Sequence, residues 1–316
     1  MTGAMRIVFL GTPAFAVPAL DALAAAGHAV LAVVAQPDRP AGRGQELRQP
    51  ATKGWALARG IPVLQPHKVR DGSLAAELRA LAPDLLVVVA YGRILGEDLL
   101  GLAPHGAVNV HASLLPRWRG AAPIQWSIAS GDRETGVTIM QMDAGLDTGD
   151  VLLQRTLLVG DDDAEALAPR LAALGGEALV EALRQLQAGE VVPVRQDGSQ
   201  ATLAPVLDKD HGRLDFQLPA DRLAARIRGF RPWPGAFTTV DGRVLKVHVA
   251  TALPAGGSPG AGAPGEARAT PEGLVVGCGE GTALLLREVQ LEGKRRVPAA
   301  EFLRGNPVAP GTVLGP

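Results

Sequence analysis

In the first half of the chain, short apolar segments alternate with amphipathic ones, and this order restricts the fold more than any other feature of the sequence. Segments rich in Val, Ile and Leu occur at 5–11, 29–36, 61–65, 84–91, 107–111 and 135–142. Helical patterns separate them at 14–27, 51–60, 73–82, 94–100 and 122–131. Apolar strands that alternate with helices are typical of a parallel sheet covered on both faces. The sequence therefore predicts an α/β fold with a Rossmann-like, mostly parallel sheet.

The second half has a different pattern, which predicts a second kind of domain. Helical spacing from 163 to 188 is interrupted at Gly175 and Gly176, where we expect one helix to end and another to begin. The periodicity is lost over 190–207. Beyond it, short segments of alternating character are separated by turn residues, at 235–240, 243–250, 273–279 and 283–290. Such segments indicate a small, OB-like β-barrel.

A chain of 316 residues predicts two domains at about 150 residues each. We place them at 1–189 and 208–316, joined by a linker at 190–207. The net charge of −1 argues against a surface that is basic throughout. The charge is uneven, since residues 1–207 contain 17 basic and 21 acidic residues and residues 208–316 contain 14 and 11. The basic excess in the second half is weak support for a polyanionic partner, because such an excess is more often part of an ordinary solvated surface.

The sequence lacks the motifs of several common sites. It contains no P-loop, and the turn after the first strand, GTPAF, lacks the glycine pattern of a dinucleotide-binding loop. No HExxH spacing occurs, and DAGLDTGD (143–150) lacks the Gly and Glu of a calcium loop. GCGEGT (277–282) is interpreted as a hairpin turn. We therefore expect no metal ion.

Cysteine content and hydropathy bear on where the protein works. Cys278 is the single cysteine, which excludes an internal disulfide and a cysteine-built zinc site and fits the reducing cytoplasm. The most apolar run, LLVVVA at 85–90, is far too short to span a bilayer. We expect a cytoplasmic protein that has no membrane partner.

Asn109 and His111 mark the candidate site. They stand two residues apart at the end of a predicted strand, so their side chains share one face, roughly 7 Å apart. The acidic loop at 143–150 also follows a predicted strand, which brings Asp143, Asp147 and Asp150 to the same edge of the sheet. An amide donor, an imidazole and a carboxylate suit acyl or formyl transfer, in which a carbonyl becomes an oxyanion and a leaving nitrogen takes a proton.

Other interpretations of these residues remain open at this point. A histidine is more often a structural residue than a catalytic one, and an asparagine near a strand end often completes a turn. The same residue set also fits a hydrolase that passes formyl to water, a transferase acting on a small amine, or a binding module without activity.

The segment NVHASLLPRWRGAAPIQWSIASGDRETGVTIMQMDAGLDTGD (109–150) resembles the signature of the folate-dependent formyltransferases. Three further stretches, FLGTPAFAVPALDAL, QPDRPAGRG and GFRPWPGAF, resemble the members of that family that act on a tRNA-bound amino acid. The resemblance covers nearly the whole chain. It implies that Asn109, His111 and Asp147 are catalytic, with Asp147 orienting the imidazole, and that 10-formyltetrahydrofolate is the formyl donor.

The resemblance also implies a folate site and an RNA partner. The folate site would contain four consecutive residues and two from another strand end: Ser113, Leu114, Leu115, Pro116, Tyr91 and Gly92. The acceptor would be methionine on initiator methionyl-tRNA, bound by a monomer. The loop at 36–50 would enter the acceptor-stem end of the tRNA.

Six basic residues are the implied tRNA contacts: Arg39, Arg43 and Arg48 in the loop, and Lys294, Arg295 and Arg296 in the second domain. Further basic candidates in the second domain are Arg226, Arg228 and Arg231. The sequence departs from the family pattern at Gln45, Glu46 and Val206, where lysines are usual. These departures weaken the expectation of phosphate contacts at those positions.

Overall fold

The strands of the first half are β1 (Arg6–Gly11), β2 (Ala29–Val34), β3 (Arg39–Ala41), β4 (Glu46–Arg48), β5 (Val63–Leu64), β6 (Leu85–Val89), β7 (Ala107–His111), β8 (Arg119–Gly120), β9 (Glu134–Gln141) and β10 (Val151–Leu158). Seven of them form one sheet, in the order β10-β9-β7-β6-β1-β2-β5. The five strands from β7 to β5 pair in parallel, whereas β9 and β10 are antiparallel to their neighbours. The predicted mostly parallel α/β sheet is confirmed.

A computed structural model describes residues 3–41, 46–256 and 262–315 of this chain. The chain forms two units, the first comprising Met1–Pro123, Glu134–Leu158 and Ala168–Ala204, and the second the remaining segments. None of the helices in the described ranges has the length and apolar character needed to cross a membrane.

The core of the first unit is built on strand β6. All five of its residues, Leu85–Val89, are buried, which is why this stretch is apolar without alternation. Burying a Val or Leu side chain contributes about 1.5–3 kcal/mol, so β6 and its neighbours give the sheet a rigid centre. Strand β7, whose end carries Asn109 and His111, pairs directly with β6. The candidate site therefore lies on a firmly packed part of the sheet.

The helices of the first half are α1 (Val17–Ala25), α2 (Ala51–Leu57), α3 (Ser73–Ala80), α4 (Glu97–Leu100), α5 (Pro123–Ala129) and α6 (Ala164–Ala188). The predicted break at Gly175 and Gly176 is wrong, because α6 is continuous through both glycines. A Cβ at Gly175 would lie 2.9 Å from Val110 Cγ1, and one at Gly176 would lie 2.9 Å from the Pro18 carbonyl oxygen. The glycines let α6 approach β7 and α1 closely.

The segment at 190–207, predicted to be a linker, contains ordered structure. Strand β11 (Leu203–Ala204) pairs in parallel with β8. Val194 forms a two-bond bridge with Val151, the first residue of β10. Residues up to Ala204 belong to the first unit. The loss of periodicity here reflects irregular chain that packs on β8 and β10.

The second unit contains helix α7 (Ala220–Gly229), which no pattern in the sequence analysis predicted, and helix α8 (Ala299–Gly305). Its strands are β12 (Ala236–Val240), β13 (Arg243–Leu253), β14 (Ala267–Thr270), β15 (Gly273–Gly277), β16 (Ala283–Leu291) and β17 (Val297–Pro298). They form an antiparallel sheet in the order β12-β13-β16-β15-β14, with β17 added beside β16. The predicted second domain of antiparallel strands is confirmed.

Residues near the carboxyl terminus bridge the two edge strands of this sheet. The Ala267 N–H donates to the Thr312 carbonyl at 2.8 Å, and the Leu314 N–H donates to the Gly265 carbonyl at the same distance. On the other edge, the Gly315 N–H donates to the Thr239 carbonyl at 3.1 Å. The bridge satisfies main-chain groups that an open sheet would leave unpaired, which accounts for the barrel-like pattern of the sequence.

Cys278 lies in the core of the second unit and provides a direct probe of its unfolding. Burial raises the pKa of the Cys278 thiol to about 12, and the side chain is 2% exposed. We expect no reaction with iodoacetamide at pH 8 in the native protein and complete reaction in denaturant, measured by mass spectrometry. Rapid stoichiometric labelling under native conditions would contradict this packing.

Candidate active site

Asn109 and His111 lie at the carboxyl end of β7, between β6 and β9. Asn109 is opposite Val88 of β6 and Met140 of β9, and His111 is opposite Thr138. Because alternate residues of a strand point to the same face, the two side chains are neighbours. His111 is 5% exposed, whereas Asn109 is half-buried. Within the part of the chain that the structure describes, the Asn109 amide has no hydrogen-bond partner, so it is available to a ligand.

The His111 ring is fixed by a main-chain carbonyl. Its Nε2 lies 2.9 Å from the Trp118 carbonyl oxygen. A carbonyl only accepts hydrogen bonds, so Nε2 carries a hydrogen and donates it to Trp118. The other nitrogen, Nδ1, lies 3.7 Å from Asp147 Oδ2, which is within ion-pair range but longer than a hydrogen bond. Nδ1 is therefore the ring nitrogen that can exchange a proton with a ligand.

The Asp147 carboxylate is held by the chain on the other side of the imidazole. Its Oδ2 accepts the Gly120 N–H at 2.8 Å, and the side chain is 15% exposed. Asp147 and Trp118 both adopt the left-handed conformation, with φ of +52° and +64°. Non-glycine residues in this region cost about 1–3 kcal/mol each and cluster at functional sites. The two strained residues carry the two oxygens that flank the imidazole.

Two residues outside the predicted set, Gln196 and Arg119, hold the loop at 143–150 that carries Asp147. Gln196 donates from Nε2 to the carbonyls of Asp147, at 2.9 Å, and Gly149, at 2.7 Å. Arg119 in turn donates to Gln196 Oε1 from Nε at 3.1 Å and from Nη2 at 2.7 Å. No sequence motif identifies Gln196, because an amide that binds main-chain carbonyls has no characteristic pattern.

The predicted folate residues at 113–116 form a buried turn. Ser113 is fully buried, and its Oγ donates to the Arg117 carbonyl at 2.6 Å. The Thr138 hydroxyl donates to the Ser113 carbonyl and accepts the Leu115 N–H. Leu115 is also buried, whereas Leu114 and Pro116 are partly exposed. Leu114 and Pro116 are thus the residues of this turn whose side chains can reach a ligand.

The other two predicted folate residues, Tyr91 and Gly92, lie just beyond the end of the neighbouring strand β6. Tyr91 is 2% exposed and packs in the apolar core with Leu95 and Leu99. Its hydroxyl has no partner among the described residues, and burial raises its pKa. The Tyr91 carbonyl accepts a hydrogen bond from Gln36 Nε2 at 3.0 Å. Gly92 has a φ of +76°, which favours glycine. At this position the main chain, rather than the Tyr91 side chain, faces the strand end.

The loop at 36–50 forms a β-hairpin. Strands β3 and β4 are antiparallel, with Arg39 directly opposite Arg48. The base of the hairpin is anchored by Asp38, which accepts hydrogen bonds from Lys53 Nζ at 2.7 Å and Gln65 Nε2 at 2.7 Å. The hydrogen bonds from Gln65 and Lys53 lower the pKa of Asp38. Arg43, the third predicted arginine, lies outside the described residues.

Most of the basic candidates in the second unit are paired with carboxylates. Arg295 contacts Glu301 at 2.8 Å, and Arg296 forms an ion pair with Glu288. Lys294, at the tip between β16 and β17, is exposed. The remaining candidates contact main chain or acids: Arg226 the His211 carbonyl, Arg228 Asp161, and Arg231 Asp163. Lys294 is therefore the predicted residue best placed to meet an anion without breaking an existing pair.

The described residues offer no set of side chains that could together bind a metal ion. Among residues 3–41, 46–256 and 262–315, no group of three or more His, Cys, Asp or Glu side chains is arranged to hold a metal ion. Asp143 in the acidic loop accepts hydrogen bonds from Thr148 Oγ1 at 2.7 Å and from the Gly145 N–H at 3.0 Å. These bonds close the loop on itself.

Comparison with known proteins gives consistent matches over both halves. The family described as Formyl transferase matches residues 5–183, and its C-terminal domain matches residues 206–307. The methionyl-tRNA formyltransferase of Anaeromyxobacter dehalogenans is 70% identical over 303 residues, covering 95% of this chain and 97% of the relative. That of Myxococcus xanthus is 56% identical over 309 residues, covering 97% of both. A solved N-formyltransferase from Helicobacter canadensis superposes with a TM-score of 0.67 at 16% identity, covering 90% of this chain and 99% of that one, and supports the fold alone.

Proposed function

The chain belongs to the methionyl-tRNA formyltransferases, and on that premise we propose that Asn109, His111 and Asp147 carry its reaction. Enzymes of this family move a formyl group from a formyl-tetrahydrofolate to methionyl-tRNA. In our proposal the donor is 10-formyltetrahydrofolate and the acceptor is the α-amine of methionine on the initiator tRNA. The amide and imidazole at the end of β7, with the Asp147 carboxylate 3.7 Å from the imidazole, fit the formyl group, whose oxygen accepts hydrogen bonds as its carbon is attacked.

The proposed reaction proceeds through a tetrahedral intermediate. The neutral amine forms a bond to the formyl carbon, and the carbonyl electrons move to its oxygen. Asn109 Nδ2 and His111 donate hydrogen bonds to this oxyanion. As the bond between carbon and the donor's nitrogen breaks, a proton passes from the former amine to the leaving nitrogen. Atoms and charge balance, since one formyl group moves in one direction and one proton moves in the other.

The two ring nitrogens of His111 have different roles in this proposal. Nε2 already donates to the Trp118 carbonyl, so only Nδ1 is left to face the reacting groups. Protonated Nδ1 donates to the oxyanion, while the proton of the attacking amine passes to the leaving nitrogen. The Asp147 Oδ2 atom lies 3.7 Å from Nδ1 and helps to hold the ring in this orientation. The orienting role that the family resemblance gives to Asp147 is thus shared with Trp118.

The observation that carries the proposal is an imidazole held between the Trp118 carbonyl and the Asp147 carboxylate. Beside it lies the half-buried Asn109 amide, which has no hydrogen-bond partner among the residues that the structure describes. The test is to incubate the protein with 10-formyltetrahydrofolate and one acceptor at a time: free methionine, methionyl initiator tRNA or methionyl elongator tRNA. We expect formyl transfer to the initiator tRNA only. Formyl release to water at the same rate without an acceptor would indicate a hydrolase instead.

The hairpin is proposed to contact the tRNA. Like charges directly opposite each other on paired strands repel, so Arg39 and Arg48 favour an anionic partner between them. Lys294 is proposed as a phosphate contact in the second unit. We further propose that the enzyme is a cytoplasmic monomer with domains at 1–189 and 208–316, and that the residues at 91–92 and 113–116 contact the folate.

Replacement of both Arg39 and Arg48 by alanine is expected to raise the KM for tRNA about 10-fold and to leave kcat at saturating tRNA unchanged. Each lost phosphate contact should make the dependence of log affinity on log salt less steep by about 1. Steady-state kinetics at several salt concentrations measures both effects. Arg79→Ala, an exposed arginine of α3, serves as the control. An unchanged KM and salt dependence in the double variant would remove the hairpin from the tRNA site.

A further inference from the structure

We propose that Gln196 and Thr202 are positioning residues of the active site, although they lie in the segment that the sequence presents as a linker. This inference rests on the proposed function, because it assigns these residues the task of placing the groups on both sides of the His111 imidazole. Thr202 acts on the turn that carries the Trp118 carbonyl, and Gln196 acts on the loop that carries Asp147.

Thr202 binds the Trp118 turn at three places. Its hydroxyl accepts the Trp118 N–H at 2.9 Å, and its carbonyl accepts the Arg119 N–H at 2.8 Å. Its own N–H donates to the Pro116 carbonyl at 3.4 Å. The next residues continue the contact, since β11 pairs with β8 in the register Leu203 to Arg119. The carbonyl that holds His111 Nε2 therefore belongs to a turn that Thr202 fixes before and after it.

Gln196 fixes the other side of the imidazole. It joins the Asp147 and Gly149 carbonyls through one side-chain nitrogen, and Arg119 holds its oxygen. Arg119 directly follows Trp118 in the chain. The Gln196 side chain therefore links the turn that contains Trp118 to the loop that contains Asp147. Two residues before Gln196, the bridge between Val194 and Val151 fixes the chain just beyond the loop. The segment thus sets the distance between the Trp118 carbonyl and the Asp147 carboxylate.

Strain explains why such support is required. Trp118 and Asp147 both have a left-handed backbone, which persists only where the surrounding structure enforces it. Removing a supporting bond lets the turn relax toward an ordinary conformation and moves the oxygen away from the imidazole. Displacements of about 1 Å in a catalytic arrangement can reduce the rate on the order of 10²-fold. The loss should therefore be in kcat, since neither residue is assigned a contact to substrate.

The test compares Thr202→Val, which removes the hydroxyl at constant shape, with Thr202→Ser, which keeps it. We expect Thr202→Val to lower kcat about 10-fold or more with both KM values within about 2-fold of wild type, and Thr202→Ser to retain wild-type kcat. Gln196→Glu, which keeps the bond to Arg119 but loses both bonds to carbonyls, should behave like Thr202→Val. Ser199→Ala removes a hydroxyl that, within the described ranges, donates its hydrogen bond to Asp197 of the same segment, and it should match wild type.

A second measurement determines which ring nitrogen of His111 carries the hydrogen. Nitrogen NMR of the His111 ring, assigned by the signal lost in His111→Ala, should show hydrogen on Nε2 in the wild type and a mixture of tautomers in Thr202→Val. Wild-type kcat and wild-type ring signals in both Thr202→Val and Gln196→Glu would overturn the inference, as would an equal loss in Thr202→Ser. Activity retained by His111→Ala would instead overturn the proposed function, and the ring signals would still decide the role of Thr202.

Discussion

His111→Ala is expected to lower kcat for formyl transfer by about 10²- to 10⁴-fold, the usual contribution of a positioned acid or base. The variant loses the hydrogen bond that Nδ1 donates to the oxyanion. The KM values for the formyl donor and for tRNA should stay near wild type, because the folate and tRNA contacts are assigned to other residues. Single-turnover formylation of methionyl initiator tRNA measures the chemical step directly.

The control for this prediction is His105→Ala, which removes an exposed histidine between α4 and β7. It should have wild-type kinetics and a wild-type melting temperature. If His111→Ala kept near-normal kcat and showed only weaker binding of the donor, His111 would be a binding residue and the proposed chemistry would be wrong.

Asn109→Ala is expected to lower kcat by about 10²- to 10³-fold, as found when one donor of a preorganised oxyanion hole is removed. The loss corresponds to roughly 2.7–4 kcal/mol of transition-state stabilisation. Asn109 is half-buried and its amide has no partner in the described parts of the chain, so its removal breaks no bond of the fold. Thermal unfolding should therefore change little while turnover falls, and the two measurements together separate catalysis from stability.

Asn109→Asp sharpens the prediction because it keeps the size of the side chain. It removes the N–H donor and places a carboxylate beside the developing oxyanion, so we expect a loss at least as large as that of Asn109→Ala. Near-normal kcat in Asn109→Asp would contradict a donor role, since a carboxylate cannot replace an N–H group at this position.

The sequence predicted those parts of the fold whose side chains are determined by burial. Strand β6 is apolar throughout because both of its faces are covered, and the alternation of strands and helices established the sheet. Strand β10 was not predicted, since it is a half-buried edge strand with polar residues inside it. The two glycines of α6 predict a helix break from sequence alone, whereas their role is close packing against β7 and α1, which depends on tertiary structure.

The candidate site also contains some residues that the sequence predicts and others that it does not. Asn109 and His111 were recognised because alternation on a strand places them together. The acidic loop was recognised because it follows a strand that ends at the same edge, and the family resemblance selected Asp147 among its three aspartates. The role of the Trp118 carbonyl could not be predicted, because every residue has a main-chain carbonyl whatever its type. Gln196 and Thr202 were missed because they bind main-chain groups that are distant in sequence. Their proposed role in positioning the site depends on the left-handed conformations of Trp118 and Asp147, which cannot be predicted from the residue types.

The central claim is that Asn109 and His111 meet one formyl oxygen at the end of β7. A crystal structure with an unreactive carbon analogue of the formyl donor tests it most directly. We predict that the formyl oxygen lies within about 3.2 Å of both Asn109 Nδ2 and His111 Nδ1, with Nε2 still bound to the Trp118 carbonyl. A formyl group bound away from both side chains, or one that contacts Nε2 after the ring has turned, would contradict the account.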